Sequence, residues 1–252
     1  MKYAKKKGLC SSIPEKQPLD VRLSTVEKDR RFLDKDELKS LIEVIKNNRR
    51  YYVLINLLVA SGLRQEEAFA LMIDDFTVMK NGNVNVRINK TDIEVARSVF
   101  EIVYDTKTDG SKRTITIPYQ IYKMVEDYYY DTIQNETEFQ RMERKANGTD
   151  KLIFVNKFGK VINKRTFQRN FRDYIAGNST GRKGIDFEAT LHMFRHSFVS
   201  LQSEEVGIEV VAGMIGDSIA TTEKIYNSLT GTQRNKVCST SMSIFNSING
   251  IE

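Results

Sequence analysis

Apolar residues within 34–45 recur every three or four positions, which predicts an amphipathic helix. These residues are Leu38, Leu41, Ile42 and Ile45. Asp34 precedes the pattern as an N-cap, and Glu37 follows three residues later, which is the spacing of a capping box. A second apolar helix is predicted over 51–60, and it stops before Gly62.

Between residues 76 and 118 apolar and polar residues alternate, as they do in half-buried strands. The alternating segments are 84–88, 100–104 and 115–117. They predict a small three-stranded antiparallel sheet. The polar segment 105–113 joins the last two strands and displays three basic side chains.

Helical periodicity returns after Pro118. The predicted helices cover 119–144, 164–174, 191–202, 208–215 and 221–229, with a short strand at 152–155. The expected fold class is therefore α+β, mainly α-helical with one small sheet. Residues 1–31 are basic and show little periodicity, which indicates an arm or linker. We expect one domain over 32–252, with a C-terminal tail from about residue 230.

The composition is typical of a globular protein, with 40% hydrophobic and 29% charged residues. The longest apolar run, 53–60, is too short to span a bilayer, and the N-terminus lacks a signal peptide, so we infer a cytoplasmic protein. Cys10 and Cys238 lie at opposite ends of the chain. They indicate neither a disulfide framework nor a structural zinc site.

Positive charge is concentrated in two parts of the chain. Residues 1–50 hold 14 Lys and Arg against 8 Asp and Glu, and residues 151–200 hold 10 against 3. If the fold brings these parts together, they form a surface that faces a polyanion. The alternative is an ordinary solvated surface.

Both histidines of the chain lie in one predicted helix, at His192 and His196. His192 and Arg195 are three residues apart and therefore neighbours on a helix surface. A guanidinium holds two phosphate oxygens in a planar fork, and an imidazole donates to a third oxygen or exchanges a proton. The alternative is that both side chains bond only to solvent or to a carboxylate.

Arg64 follows a Ser-Gly turn at the start of a predicted helix, where an anion is favoured. Three motifs and their order resemble the catalytic domain of the tyrosine recombinases, the integrases of phages and other mobile genetic elements. The motifs are Ser-Gly-Leu-Arg-x-x-Glu from Ser61, Leu-His-x-Phe-Arg-His-Ser-Phe from Leu191, and Ile-Gly-x-Ser-x-x-Thr-Thr-x-x-x-Tyr from Ile215. The resemblance also includes the basic turn between strands, and it covers roughly 32–230.

The resemblance implies a site-specific DNA recombinase that uses no ATP, metal or other cofactor. Arg64 and Arg195 would clamp the scissile phosphate and stabilise the charge of the transition state. His192 would assist them, and Tyr226 would attack phosphorus, giving a 3′-phosphotyrosyl bond and a free 5′-hydroxyl. Glu67 would brace this apparatus; its alternative is an exposed helix charge.

Other residues receive supporting roles from the same resemblance. A lysine on the turn would protonate the leaving 5′-oxygen, and Lys107 fits this role best, with Lys112 second; both have phosphate binding as the alternative. His196 would support the site without taking part in the reaction. The residues expected to bind DNA are Lys112, Arg113, Lys164, Arg165 and Arg169.

One residue departs from the family pattern, because Asp217 stands where the family usually has His or Trp. An ionised carboxylate beside the phosphate would oppose the transition state electrostatically. The alternative is that Asp217 caps the helix that begins near Ser218 and so positions Tyr226.

The resemblance also implies partners. They are double-stranded DNA at specific recombination sites, three further copies of the chain in a homotetramer, and accessory DNA-bending proteins; no membrane is expected. Residues 1–31 resemble the end of a preceding core-binding domain and its linker, so we expect a fragment of a longer protein or a natural short form. Two other functions stay open: a type IB topoisomerase-like enzyme, and a DNA-binding paralogue that has lost catalysis.

Overall fold

The computed structural model describes residues 32–97, 99–104, 112–178 and 183–227, with Asn227 described by its backbone alone. Within these ranges no helix is both long enough and apolar enough to cross a membrane.

The first two helices form as predicted. Helix α1 spans Lys35–Ile45 and α2 spans Arg49–Ser61. The Asp34 carboxylate caps α1 by accepting from the backbone N–H of Glu37 at 2.8 Å, and the Glu37 carboxylate accepts from the Asp34 N–H at 3.2 Å. This confirms the capping box, whose reciprocal bonds satisfy two donors that a helix start leaves open.

Helix α2 ends at Gly62, whose φ of 63° lies in the left-handed region that favours glycine. The short helix α3, Gln65–Phe69, begins three residues later, with Arg64 at its N-cap position. The turn therefore reverses the chain and places Arg64 at the start of a new helix, as the sequence predicted.

The sheet differs from the prediction in its membership. Strands β1 (Phe76–Val78), β2 (Val84–Ile88) and β5 (Arg113–Ile117) form the three-stranded antiparallel sheet, in the order β1-β2-β5. Strands β3 (Thr91–Ala96) and β4 (Val99–Val103) form a separate two-stranded hairpin.

The prediction that 100–104 belongs to the main sheet was therefore wrong. That segment pairs with β3, for example Asp92 opposite Ile102. The apolar residues of β3, Ile93 and Val95, are exposed, whereas the polar Asp92 is buried, so apolar alternation does not mark a buried face of this strand.

In the main sheet, Ile88 lies opposite Arg113, so the last residue of β2 and the first residue of β5 lie at the same end of the sheet. The candidate active site lies at this end.

The predicted helix over 119–144 is two helices, α4 (Tyr119–Gln134) and α5 (Glu138–Ala146). Thr137 starts α5 with a capping box of its own, which separates it from α4. Segment 152–155 is buried but is not a strand, since Leu152 makes only an isolated antiparallel bridge with Met72. Helix α6 spans Lys164–Ile175, close to its prediction.

Three consecutive helices complete the described chain: α7 (Leu191–Val206), α8 (Ile208–Ile215) and α9 (Ile219–Asn227). The main core packs α2 against α4 and α7. A second apolar cluster lies among the last three helices and consists of Phe198, Val199, Val211, Ile215 and Ile225. This second cluster fixes α9 on α7 and α8.

Arg144 on α5 is fully buried and is the main polar brace of the loop after that helix. Its guanidinium pairs with Glu136 at 2.6 Å and donates to backbone carbonyls. These are the carbonyls of Thr149 at 3.1 Å, Asp150 at 2.7 Å and Leu152 at 2.8 Å. One side chain thus neutralises a buried carboxylate and satisfies three loop acceptors.

We expect Arg144→Leu to lower the free energy of unfolding by about 3–5 kcal/mol, because it leaves the Glu136 charge buried without its partner. Urea denaturation measures this loss. The control is Arg141→Leu on the exposed side of the same helix, which we expect to change stability by less than about 0.5 kcal/mol. Equal losses from the two variants would contradict this account of the loop.

Candidate active site

Three arginines from distant parts of the chain meet at the C-terminal end of α8. A helix end leaves backbone carbonyls without intrahelical partners and carries partial negative charge, so it attracts guanidinium groups. The carbonyls of Met214, Ile215 and Gly216 accept from Arg113 Nε at 3.0 Å, Arg195 Nη2 at 3.2 Å and Arg64 Nη2 at 3.4 Å, respectively.

Arg64 is held by the helix that it begins. Its Nη1 donates to Glu67 Oε1 at 2.9 Å, and its backbone N–H donates to Glu67 Oε2 at 2.9 Å. Its side chain is 36% exposed, so its guanidinium is both fixed and accessible.

Glu67 also binds Arg113, in a bidentate pair with both N···O distances at 2.8 Å. Burial opposes ionisation of this carboxyl, but the hydrogen bonds and charge of Arg113, supported by Arg64, outweigh it, and the pKa of Glu67 is lowered. The exposed-charge alternative for Glu67 is wrong, because the residue is 5% exposed. Glu67 lies between two arginines and pairs with both.

The structure assigns Arg113 a position different from the expected DNA contact. Its side chain is only 9% exposed, and its guanidinium is taken up by Glu67 and the Met214 carbonyl. Arg113 therefore joins the sheet edge to α8 and α3 instead of facing outward. Its place at the first position of β5 gave no sign of this, because the partners lie 46 and 101 residues away.

Arg195 is nearly inaccessible, with 3% of its side chain exposed. Its Nη1 donates to the Gly62 carbonyl at 2.7 Å, and its Nη2 donates to Asp217 Oδ2 at 2.7 Å. Burial lowers the pKa of the Arg195 guanidinium from its ordinary value, although the Asp217 carboxylate acts in the opposite direction. Arg195 thus links the turn after α2 to the turn after α8.

The carboxylate of Asp217 lies between the two expected phosphate-binding arginines. Its Oδ1 accepts from Arg64 Nη2, and its Oδ2 accepts from Arg195 Nη2. Arg64 and Arg195 therefore converge on one small volume, as the resemblance implied. The capping alternative for Asp217 is wrong: Ser218 Oγ accepts from the Thr221 N–H at 3.2 Å at the start of α9.

The two histidines lie one turn apart on α7, with ring centroids 4.5 Å apart and an interplanar angle of 71°. His192 is exposed, whereas His196 is buried. The exposed ring suits a contact with substrate, and the buried ring suits a supporting position behind it.

Tyr226 is partly exposed near the end of α9. Its neighbour Ile225 is buried in the second apolar cluster, which anchors this last turn to α7 and α8. The tyrosine thus lies on the same three-helix unit that carries Arg195 and Asp217.

The lysines and arginines that were expected to contact DNA lie in different environments. Lys107 lies outside the described residues, and Lys112 is exposed immediately before β5. Lys164 is held by Asp92 at 3.2 Å and Glu66 at 3.4 Å.

The remaining two, Arg165 and Arg169, are exposed on α6. Arg165 pairs with Glu94 of the hairpin at 3.2 Å. In the ranges that the structure describes, no group of three His, Cys, Asp or Glu residues is arranged to hold a metal ion.

The described part of the chain is mainly α-helical, and two of its guanidiniums hold one carboxylate between them. The sequence model of the phage integrase family matches residues 31–232. The chain belongs to the phage integrase family.

Related proteins agree with this assignment. An integrase of Streptomyces ambofaciens is 33% identical over 184 residues, 69% of this chain and 43% of that protein. The tyrosine recombinase XerD of Oceanobacillus iheyensis is 24% identical over 217 residues, 83% of this chain and 62% of that protein. The chain spans about half the length of the curated relatives it matches.

Solved structures share the fold. The Tn1549 transposon integrase in complex with transposon right end DNA aligns with a TM-score of 0.62 at 19% identity, covering 89% of this chain and 71% of that one. The XerA recombinase aligns with a TM-score of 0.59 at 22% identity, covering 84% and 65%. The expected α+β, mainly helical fold is confirmed.

We expect Gly62→Ala to destabilise the site that Gly62 helps to build. An added Cβ would lie 2.4 Å from Phe198 Cδ1, and φ is +63°. Gly148→Ala is a matched control, because Gly148 has the same φ but no atom within 4 Å of an added Cβ. Urea denaturation should show a loss for Gly62→Ala larger by about 1–3 kcal/mol. Equal losses would mean that Phe198 moves aside without cost.

We expect the stability contributed by Glu67 to depend on pH. Its folded-state pKa is below the ordinary 4.5, so its ion pairs stabilise the fold above about pH 4.5, and this contribution is lost as pH falls through the lowered pKa. Glu67→Gln should cost about 3–5 kcal/mol at pH 7 and less below pH 4.5, measured by urea denaturation across pH. The exposed Glu188→Gln serves as the control. A pH-independent difference would contradict this prediction.

Proposed function

We propose that the chain is the catalytic domain of a tyrosine site-specific recombinase, which cleaves and rejoins DNA through a covalent 3′-phosphotyrosyl intermediate. The observation that carries the proposal is the convergence of Arg64 and Arg195 on one carboxylate. A carboxylate and a phosphate both present two oxygens to such a pair of guanidinium donors. The position between the arginines therefore suits a phosphodiester.

The charge of the cluster also suits one phosphodiester. Three arginines, Arg64, Arg113 and Arg195, face two carboxylates, those of Glu67 and Asp217. The cluster thus has one excess positive charge while Asp217 pairs with the arginines and two without that carboxylate, so it attracts a phosphodiester in either state. Negative charge that develops on the phosphate oxygens during attack would be stabilised by donors that are already oriented.

The proposed reaction is transesterification. The Tyr226 phenol oxygen attacks phosphorus and gives up its proton, the bond to the 5′-oxygen breaks, and that oxygen takes a proton. Because a phosphodiester replaces a phosphodiester, the reverse attack by a 5′-hydroxyl rejoins the strand without nucleotide hydrolysis. Lys107 is our first choice as the donor to the 5′-oxygen and Lys112 the second. His192 assists the arginines at the phosphate, and the buried His196 supports the His192 ring.

The proposed partner is double-stranded DNA at specific recombination sites, bound by a homotetramer together with accessory DNA-bending proteins in the cytoplasm. Lys112, Lys164, Arg165 and Arg169 are proposed to contact its backbone. A fold relative, the Tn1549 transposon integrase, has a solved complex with transposon right end DNA, which supports a nucleic-acid partner. We propose that residues 1–31 are a basic N-terminal segment or linker that precedes the catalytic domain.

Tyr226→Phe should abolish covalent adduct formation, because the variant lacks the attacking oxygen. The assay offers a nicked suicide substrate that carries the cognate site and detects protein-bound DNA on a denaturing gel. The control is Tyr130→Phe, an exposed tyrosine on α4 whose loss should leave adduct yield unchanged.

No adduct with the wild-type chain, or an undiminished adduct with Tyr226→Phe, would overturn the proposal. The first outcome with retained DNA binding would indicate a paralogue without catalysis. Relaxation of a supercoiled plasmid that lacks any recombination site would indicate a topoisomerase-like enzyme instead of a recombinase.

A further inference from the structure

The Asp217 carboxylate fills the position between Arg64 and Arg195. One of its oxygens bonds to each arginine, in both cases to Nη2. The contact is thus bidentate across two side chains that lie 131 positions apart in the sequence. A phosphate held by the same two donors would need this same position, so the carboxylate and a phosphate exclude one another.

Both arginines keep other anchors that do not involve Asp217. Arg64 Nη1 is held by Glu67 at 2.9 Å, and Arg195 Nη1 is held by the Gly62 carbonyl at 2.7 Å. In each guanidinium, Nη1 thus donates to a group other than Asp217. Nη2 donates both to a carbonyl at the end of α8 and to Asp217. Removal of the carboxylate would leave these anchors in place.

The route by which Asp217 reaches the arginines is local. Gly216 ends α8 with φ +70°, in the left-handed region, and this turn directs the next side chain back toward the helix end. The backbone N–H of Asp217 donates to the Ala212 carbonyl at 3.2 Å, and Ser218 then caps α9. The Asp217 side chain is 12% exposed, and its partner Arg64 is 36% exposed, so this side of the cluster is in contact with solvent.

We propose that Asp217 is an intramolecular occupant of the phosphate position, and that a substrate phosphate must displace it from Arg64 and Arg195. The inference rests on the proposed function, in that the displacing group is a DNA phosphodiester. Displacement exchanges one anion for another at the same two donors, so the arginines do not have to be reoriented. A free phosphate must compete with a tethered carboxylate, whereas DNA brings additional contacts elsewhere on the domain.

The test measures binding of inorganic phosphate to the chain by isothermal titration, at constant ionic strength. Asp217→Asn keeps the side-chain shape and removes the competing charge, so we expect phosphate to bind about tenfold or more tightly than to wild type. Asp127→Asn is the matched control; it removes an exposed carboxylate on α4 that pairs with Lys123, and it should leave phosphate affinity unchanged.

Weaker or unchanged phosphate binding by Asp217→Asn would overturn the proposal, because Asp217 would then be holding the arginines rather than occupying their ligand position. Asp217→Ser is measured in parallel, so that misfolding of one variant does not decide the result. Urea denaturation identifies a folded variant. If Asp217→Asn and Asp217→Ser are both folded and both bind phosphate no better than wild type, the proposal fails.

This readout is independent of the cleavage assay. If wild type forms the Tyr226 adduct but Asp217→Asn does not gain phosphate affinity, the proposed function stands and the occupant is rejected. If no adduct forms but phosphate affinity rises in Asp217→Asn, the occupant is supported and the proposed reaction is rejected. If wild type forms the adduct and Asp217→Asn gains phosphate affinity, Asp217→Asn should also raise the rate of adduct formation at subsaturating DNA.

Discussion

The architecture of the site depends on how the carbonyls at the end of α8 are satisfied. That end presents backbone oxygens and partial negative charge, and Arg64, Arg113 and Arg195 all donate to it. These arginines come from the turn before α3, the start of β5 and the middle of α7. One helix end therefore ties together three regions that are far apart in sequence, and it does so with the same side chains that make the site cationic.

Three guanidiniums brought together in a partly buried place repel one another, and the two carboxylates reduce this cost. Glu67 forms ion pairs with Arg64 and Arg113, while Asp217 forms ion pairs with Arg64 and Arg195. The two acids differ in accessibility: Glu67 is enclosed and structural, whereas Asp217 lies nearer to solvent. We propose that Glu67 is a permanent counterion of the arginines, whereas Asp217 is a counterion that a phosphate can replace.

The second apolar cluster connects the arginine site to the proposed nucleophile. It packs α9 on α7 and α8, so Tyr226 belongs to the same packed unit as Arg195 and Asp217. Gly62 and Gly216, both in the left-handed region, contribute in parallel ways, since Gly62 leads into Arg64 and Gly216 leads into Asp217. The sharp turns at these helix ends thus place the charged groups in the site, and apolar packing fixes the positions of the turns.

Features that depend on near neighbours could be predicted from the sequence alone. The capping box at Asp34, the helix over 208–215, the turn at Gly62 and the order of motifs around Arg64, Arg195 and Tyr226 follow from local spacing. The folded structure was needed to show that Arg113 is buried on Glu67, that 100–104 pairs with β3, and that Asp217 bridges two arginines instead of capping α9. The arginine contacts join residues 22 to 153 positions apart, and their energies depend on burial and on the packing that brings the partners together, which no local pattern of residues encodes. Strands β3 and β4 are close in sequence, but alternation within 100–104 does not specify which strand this segment pairs with.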